Sequence, residues 1–295
     1  MSKKRSMDLK KKNRKKKSSK SSVWNSRRMK FFITFAMFCF VILGSTYAWF
    51  ISVDSKENRF EGTRLLAEIT EVFTPQSNWQ PGEETSKIVS VTNTGETPAL
   101  VRISLYEFLL TFQVDMTDRV GNGNLKESNT IVDPRVDVND TDTWKLASND
   151  GGTYTKDGKH YLASAAIVSD PKNGTDMYEY NSSTRPDTPL KFLSMNFSSA
   201  FKETAPSDGM RKYWLYENGY FYYSEVLQPG EESEPLINSV TLSSLLPNKY
   251  KSSLYKLKVF MDAHDTTSVL FSSWGVENNS DVYKMLENAI DVGAK

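Results

Sequence analysis

Apolar residues recur at every second position in several separate stretches of the chain, the pattern of half-buried β-strands. Leu65, Ala67 and Ile69 mark a first strand, closed off by Pro75 and Pro81-Gly82. Val89 and Val91 alternate with Ile88, Ser90 and Thr92, and Ala99, Val101, Ile103 and Leu105 alternate with Leu100, Arg102 and Ser104. The link Asn93-Thr94-Gly95-Glu96-Thr97 has turn chemistry, so these two strands are expected to pair as a hairpin. A second hairpin is predicted where Tyr213-Trp214-Leu215-Tyr216 and Tyr220-Phe221-Tyr222-Tyr223 flank Glu217-Asn218-Gly219, because Asn-Gly supplies the positive φ of tight two-residue turns. Tyr255, Leu257, Val259 and Met261 alternate with Lys256, Lys258 and Phe260 in a last clear strand. Beyond Asp281 the period changes: Val282, Met285, Leu286 and Ile290 sit at helical spacing, predicting a short terminal helix over 281–295.

The middle, about 111–205, differs in kind. It is dense in Asp, Asn, Thr, Ser and Gly, with short apolar islands such as 161–168 and turn pairs at Asp157-Gly158 and Asn173-Gly174. An elaborated insertion on a β core, with short helices, is the expectation. One internal echo stands out: Gln80-Pro81-Gly82-Glu83-Glu84 returns as Gln228-Pro229-Gly230-Glu231-Glu232, followed by Ser90-Val91-Thr92 and Ser239-Val240-Thr241. Two strands reached through the same Pro-Gly turn would suit the facing sheets of a sandwich; the alternative is a common turn used twice.

The first fifty residues break the β pattern altogether. A basic tail leads into the apolar run Phe31 to Leu43 and then Gly44-Ser45-Thr46-Tyr47-Ala48-Trp49-Phe50. This is the tripartite form of an export signal, with Thr46, Tyr47 and Ala48 as a small-x-small cleavage site and Trp49 as the first residue of the mature protein. The alternative is an uncut signal anchor, since residues 31–50 are long enough to span a bilayer. Under either reading the Lys/Arg cluster stays in the cytoplasm, residues after 50 are exported, and any membrane contact runs through 31–50. A nucleic-acid role for the basic tail does not fit its place before an apolar run.

Charge sharpens the division. Residues 1–30 hold 14 of the 37 Lys/Arg and one acid, Asp8, of 36, so residues 31–295 carry 23 minus 35, or −12. An acidic exported body disfavours nucleic acid and anionic lipid. The single cysteine, Cys39, lies in the apolar run. The mature chain therefore has no thiol nucleophile, zinc-thiolate site or disulfide, and export from a Gram-positive cell suits it better than a disulfide-forming route. The Asn-x-Ser/Thr sequons are then chance matches.

The signal 44–50 resembles those cut by the SipW-type signal peptidase, and the chain beyond it is similar to the TasA/camelysin class of exported proteins. The residues that carry this are Asn58-Arg59-Phe60-Glu61-Gly62-Thr63, Trp79-Gln80-Pro81-Gly82, Val89-Ser90-Val91-Thr92-Asn93-Thr94-Gly95 and Ala99-Leu100-Val101-Arg102. Asn218-Gly219 with Tyr220–Tyr223, Leu227-Gln228-Pro229-Gly230, Val259–Ala263 and Trp274-Gly275 resemble the longer, BsaA-like or alternate signal-mediated exported members. The likeness covers about 31–105 and 212–276. It implies a jelly-roll-like antiparallel β-sandwich, a SipW-type signal peptidase as processing partner, and structural subunits of biofilm-matrix fibres or pilus-like polymers at the cell surface. In filament-forming members the segment after the cleavage site adds as a strand to the next subunit, a form of β-augmentation. Here the donor would begin at Trp49, with Phe50, Ile51 and Val53 as further apolar anchors; a spacer between membrane and domain is the alternative. The resulting layout is signal 1–48, N-terminal segment 49–63, sandwich 64–280 and terminal helix or tail 281–295.

Some camelysin-type relatives are called metalloproteases, yet the chain has only His160 and His264 and neither lies in an H-E-x-x-H helix. Asp262, His264 and Asp265 are a conceivable metal set and Asp133, Asp137, Asp140 and Asp142 a conceivable calcium run, but solvated turns are the simpler reading of both. The aromatic cluster at 213–223 offers a glycan platform, with half its rings expected in the core. An internal Lys-Asn or Lys-Asp isopeptide bond remains open, with no lysine singled out. No sortase-type L-P-x-T-G motif appears, and no nucleophile elbow or phosphate loop. A secreted, non-enzymatic structural protein without cofactor or metal, associating with itself or related matrix subunits, is the first expectation. A monomeric adhesin or binding module that uses the middle insertion is the second, and a camelysin-like protease the third.

Overall fold

The structure, a computed structural model, describes residues 58–59, 65–73, 80–117, 123–169, 176–207 and 209–293. Among them are thirteen strands: β1 (Asn58–Arg59), β2 (Ala67–Phe73), β3 (Glu84–Asn93), β4 (Leu100–Phe112), β5 (Glu127–Ser128), β6 (Thr153–Lys156), β7 (Lys159–Val168), β8 (Leu193–Phe197), β9 (Phe201–Lys202), β10 (Trp214–Glu217), β11 (Tyr220–Tyr223), β12 (Ile237–Leu242) and β13 (Leu254–His264). Three α-helices accompany them, α1 (Thr141–Asp150), α2 (Val269–Trp274) and α3 (Asp281–Gly293). The strands form an antiparallel sandwich with two short parallel contacts. One sheet runs β2-β3-β12-β8; the other runs β1-β13-β4-β11-β10-β9, with β7 joined to the far half of β4 and carrying β5 and β6.

Side-chain parity decides which residues meet between the sheets. On β4 the odd positions Val101, Ile103, Leu105 and Leu109 face inward, as do Tyr255, Leu257, Val259 and Met261 of β13. They pack against Val89 and Val91 of β3 and Val240 of β12 in one apolar core. The even positions of β4 face the other way and are covered at both ends. Leu100 and Tyr222 lie under Leu270, Trp274, Val282 and Leu286 of the two C-terminal helices. Phe108, Leu110 and Phe112 lie under Trp144 and Ala147 of α1. The period-2 reading of β13, the Asn-Gly hairpin and the helical tail thus coincide with β13, β10–β11 and α3; Asn218 and Gly219 take φ of 51° and 86°.

The expected hairpin between β3 and β4 does not form. β3 lies in the four-stranded sheet between β2 and β12, whereas β4 pairs with β13, β11 and β7 in the other. The link crosses between sheets, and wholly buried Asn93 fastens the crossing. Its amide nitrogen donates to the carbonyls of Thr97 and Leu227, both at 2.8 Å, and its side-chain oxygen accepts from the Gly95 N–H at 2.9 Å. Asn-x-Gly is turn chemistry in both geometries, so local sequence does not separate a hairpin from a corner.

The repeated Gln-Pro-Gly-Glu-Glu segments also differ from expectation, since they serve neighbouring strands of one sheet and not facing sheets. Each turn caps the far end of the other's strand: Gly82 N–H donates to Leu242 O and Gly230 N–H to Asn93 O, both at 2.7 Å. Leu242 N–H returns to Glu83 O, and Asn93 N–H to Glu231 O, both at 2.9 Å. The side chains repeat the relation, Ser90 Oγ donating to Glu232 and Ser239 Oγ to Glu84. The antiparallel β3–β12 pair is therefore a local two-fold, and the one extra residue of the second copy falls between Ser233 and Ser239, where the β12 ladder is irregular.

Within 111–205 the chain builds the β5–β7 extension and α1, then returns to the sandwich, where β8 is an outer strand of the four-stranded sheet. Helix α1 starts at Asp140, whose side chain accepts from Asp142 N–H, and stops at Gly151 with φ 73°.

Candidate functional site

The cleavage residues Thr46, Tyr47, Ala48 and Trp49, the donor residues Phe50, Ile51 and Val53, and the apolar run 31–50 lie outside the described residues. Among those described, no helix is long and apolar enough to cross a membrane. The first described strand after the donor segment is β1, and it runs parallel to β13, Asn58 opposite Met261 and Arg59 opposite Asp262. On its other side β13 pairs with β4 along its whole length, Leu254 to His264. From Leu254 to Phe260, β4 is therefore the one strand neighbour of β13 among the described residues. Such an edge offers every second backbone N–H and C=O for pairing with another extended segment.

Next to that edge, four of the sequence motifs converge. Arg102 donates through Nε and Nη2 to Asp262 at 3.0 and 2.8 Å, and through Nη1 to the Trp274 carbonyl at 3.0 Å. Its guanidinium lies 3.8 Å from the centre of the Tyr220 ring. The arginine thus ties β4 to β13 and to α2 at once, with cation–π support. His264 packs its ring edge-on to Trp274 and bonds Asp265 through Nδ1. Asp262 accepts both of its Arg102 bonds on the one oxygen Oδ2.

A second buried ion pair was not visible in the apolar pattern. Glu107 occupies an inward position of β4 and is wholly buried; Arg185 meets it through both terminal nitrogens and also donates to the Leu193 carbonyl. The Tyr255 hydroxyl donates to Glu107 Oε1 at 2.8 Å. Burial, together with the Glu107 charge, pushes the Tyr255 and Tyr178 hydroxyls well above the ordinary tyrosine value. The available signal was parity: a glutamate in register with Val101, Ile103, Leu105 and Leu109 had to find a cation inside.

Lys256, 1 % exposed, donates to the Asn139 carbonyl at 2.7 Å. Burial, then the like charge of Lys258, depresses its ammonium to about 8, with Asp137 and Asp140 opposing. The aspartate run itself is local scaffolding. Asp133 pairs with Arg135, Asp137 accepts from Asn139 N–H and Asp140 caps α1. His160 bonds Thr155 Oγ1 across the β6–β7 hairpin. No group of three or more metal-ligating side chains is present among the described residues. The aromatic cluster is more buried than half: Trp214, Phe221 and Tyr223 fill the inter-sheet core, and Tyr213 and Tyr222 sit beneath the C-terminal helices. Only Tyr216 and Tyr220 of the cluster are partly exposed.

Fold and site together define an antiparallel two-sheet β-sandwich with a part-covered edge strand and an inserted helical lobe. Comparison with known proteins finds no matching family model, no matching curated protein and no matching solved structure.

Proposed function

We propose that this chain is an exported structural protein that builds surface or matrix fibres by adding the N-terminal segment of one copy to the β13 edge of the next. The observation that carries the reading is the β1–β13 pairing. Its register offset is 261 minus 58, or 203. A donor strand that kept this offset would bring Ile51 opposite Leu254 and Glu57 opposite Phe260, the stretch where β13 has β4 as its one described strand neighbour. Supplied by a neighbouring copy, such a strand links two subunits through main-chain hydrogen bonds, with alternate side chains setting specificity. The signal-like 1–48, the acidic body and the lack of cysteine after Cys39 accord with export by way of a SipW-type signal peptidase.

The test begins with N-terminal sequencing of the protein released by cells, expected to start at Trp49. Electron microscopy of that protein should show fibres, and deletion of residues 49–57 should leave folded monomers. Fibres that persist in the deletion, or a mature chain that stays monomeric in every condition tried, overturn the reading.

A further inference from the structure

The outer face of β13, β4 and β11 is covered by α1 at one end and by α2 and α3 at the other. Between the two covers lies a solvent-open cleft of about 440 Å³, within the range of pockets that take small organic ligands. Its floor is set by strand parity. Tyr106 of β4, Phe260 of β13 and Tyr220 of β11 all point outward there, half-buried. Tyr106 and Phe260 meet edge to face, 5.0 Å between centres, and the Tyr220 ring carries the Arg102 guanidinium on one face. One wall is the start of α1. There Thr141 is 1 % exposed and its Oγ1 has no hydrogen-bond partner among the described residues.

The charges around these rings cancel. Arg102 faces Asp262 and Lys145 faces Asp176, which leaves Lys258 and Asp142 as one cation and one anion. A phosphorylated or polyanionic ligand needs an excess of positive charge, which this lining lacks. A lipid chain needs an apolar lining, and this one is ringed by carboxylates and ammonium groups. What fits is a molecule with apolar C–H faces for the rings and hydroxyls that both donate and accept.

We propose that this cleft binds a neutral oligosaccharide. Sugar rings stack on Phe260 and Tyr106, while hydroxyls donate to Asp142 and accept from Lys258. The site uses outward side chains and not the hydrogen-bonding edge of β13, so it stands or falls independently of strand addition.

The experiment titrates the full chain with cellotetraose, maltotetraose and chitotetraose by calorimetry, with a heparin tetrasaccharide as the anionic comparison. Saturable binding of at least one neutral tetrasaccharide is expected, with none of heparin. Phe260→Ala and Asp142→Asn should each weaken it about tenfold or more, the weight of one charge-assisted hydrogen bond or one stacking face. Lys284→Ala, on α3 and outside the cleft, should leave it unchanged. Asp142 is exposed, so its variant decides the matter if Phe260→Ala fails to fold. No binding of any of the three neutral probes, binding unaltered in Asp142→Asn, or preference for heparin overturns the proposal.

Discussion

Arg185→Met removes the guanidinium from a carboxylate whose side chain has no solvent exposure. Glu107 loses both of its contacts to the arginine and keeps the Tyr255 hydroxyl at 2.8 Å, while the Leu193 carbonyl loses a donor. Breaking a buried pair from one side costs about 3–5 kcal/mol, because the remaining charge has neither water nor a counter-charge and keeps a single neutral donor. The exposed Arg135–Asp133 pair, by contrast, should contribute about 1 kcal/mol or less. Against a total stability of about 5–15 kcal/mol, the Arg185 loss is a large share. At about 2–4 °C per kcal/mol for a domain of this size, it lowers Tm by about 6–20 °C. Urea unfolding followed by tryptophan fluorescence measures it, since Trp214 is fully buried between the sheets. Adding Glu107→Gln to the variant should recover about 1–3 kcal/mol, because the amide is uncharged and still accepts from Tyr255. A loss below about 1 kcal/mol for Arg185→Met, or a double variant no more stable than the single, would show that the pair does not hold the segment at 185–193 to the core.

Three further outcomes rest on the same geometry. Gly82→Ala and Gly230→Ala should cost nearly equal amounts, about 1–2 kcal/mol each, from positive φ; φ is 92° and 81°, and an added Cβ makes an ordinary contact with Ser244 Cβ at 3.6 Å at the first and meets nothing at the second, so clearly unequal costs in chemical unfolding would contradict the local two-fold. Lys256→Met should stabilise the protein most near neutral pH, where the buried ammonium is charged in both states. Its advantage should shrink as pH rises from about 8, where the folded lysine gives up its proton, to 10.5, where the unfolded one does, and a pH-independent difference refutes this. Buried Tyr223, raised to about 12 chiefly by burial, and Tyr178 and Tyr255, also raised well above the ordinary tyrosine value by burial, keep their protons above pH 10 only while folded. Their stabilisation is complete below pH 10 and is lost as pH climbs toward about 12, so tyrosinate absorbance should rise together with loss of circular dichroism; gradual ionisation in an intact fold would refute it.

The features legible in the chain alone were local ones. The outward and inward parity of β4 and β13, the β10–β11 hairpin and the α3 stripe are set by neighbours within a few residues, through period-2 alternation, Asn-Gly turn geometry and helical spacing. The repeated Gln-Pro-Gly-Glu-Glu was visible as well, and both copies make the same turn, each glutamate capping its own glutamine N–H. Pairing was decided only in three dimensions. Asn93-Thr94-Gly95 fits a hairpin as well as a corner, and the contacts of Asn93 with Leu227, 134 residues away, select the corner. Arg102 gains its role from Asp262 and the Trp274 carbonyl, 160 and 172 residues further on. Glu107 shares the inward parity of Val101, Ile103 and Leu105, but its buried charge and its partner Arg185 show only in the fold. The cleft between the helical covers exists because α1 and the C-terminal helices, far apart in sequence, settle on opposite ends of one sheet face. Local propensity is written residue by residue; partners across a sandwich are chosen by burial and charge balance among elements that meet only when the chain has folded.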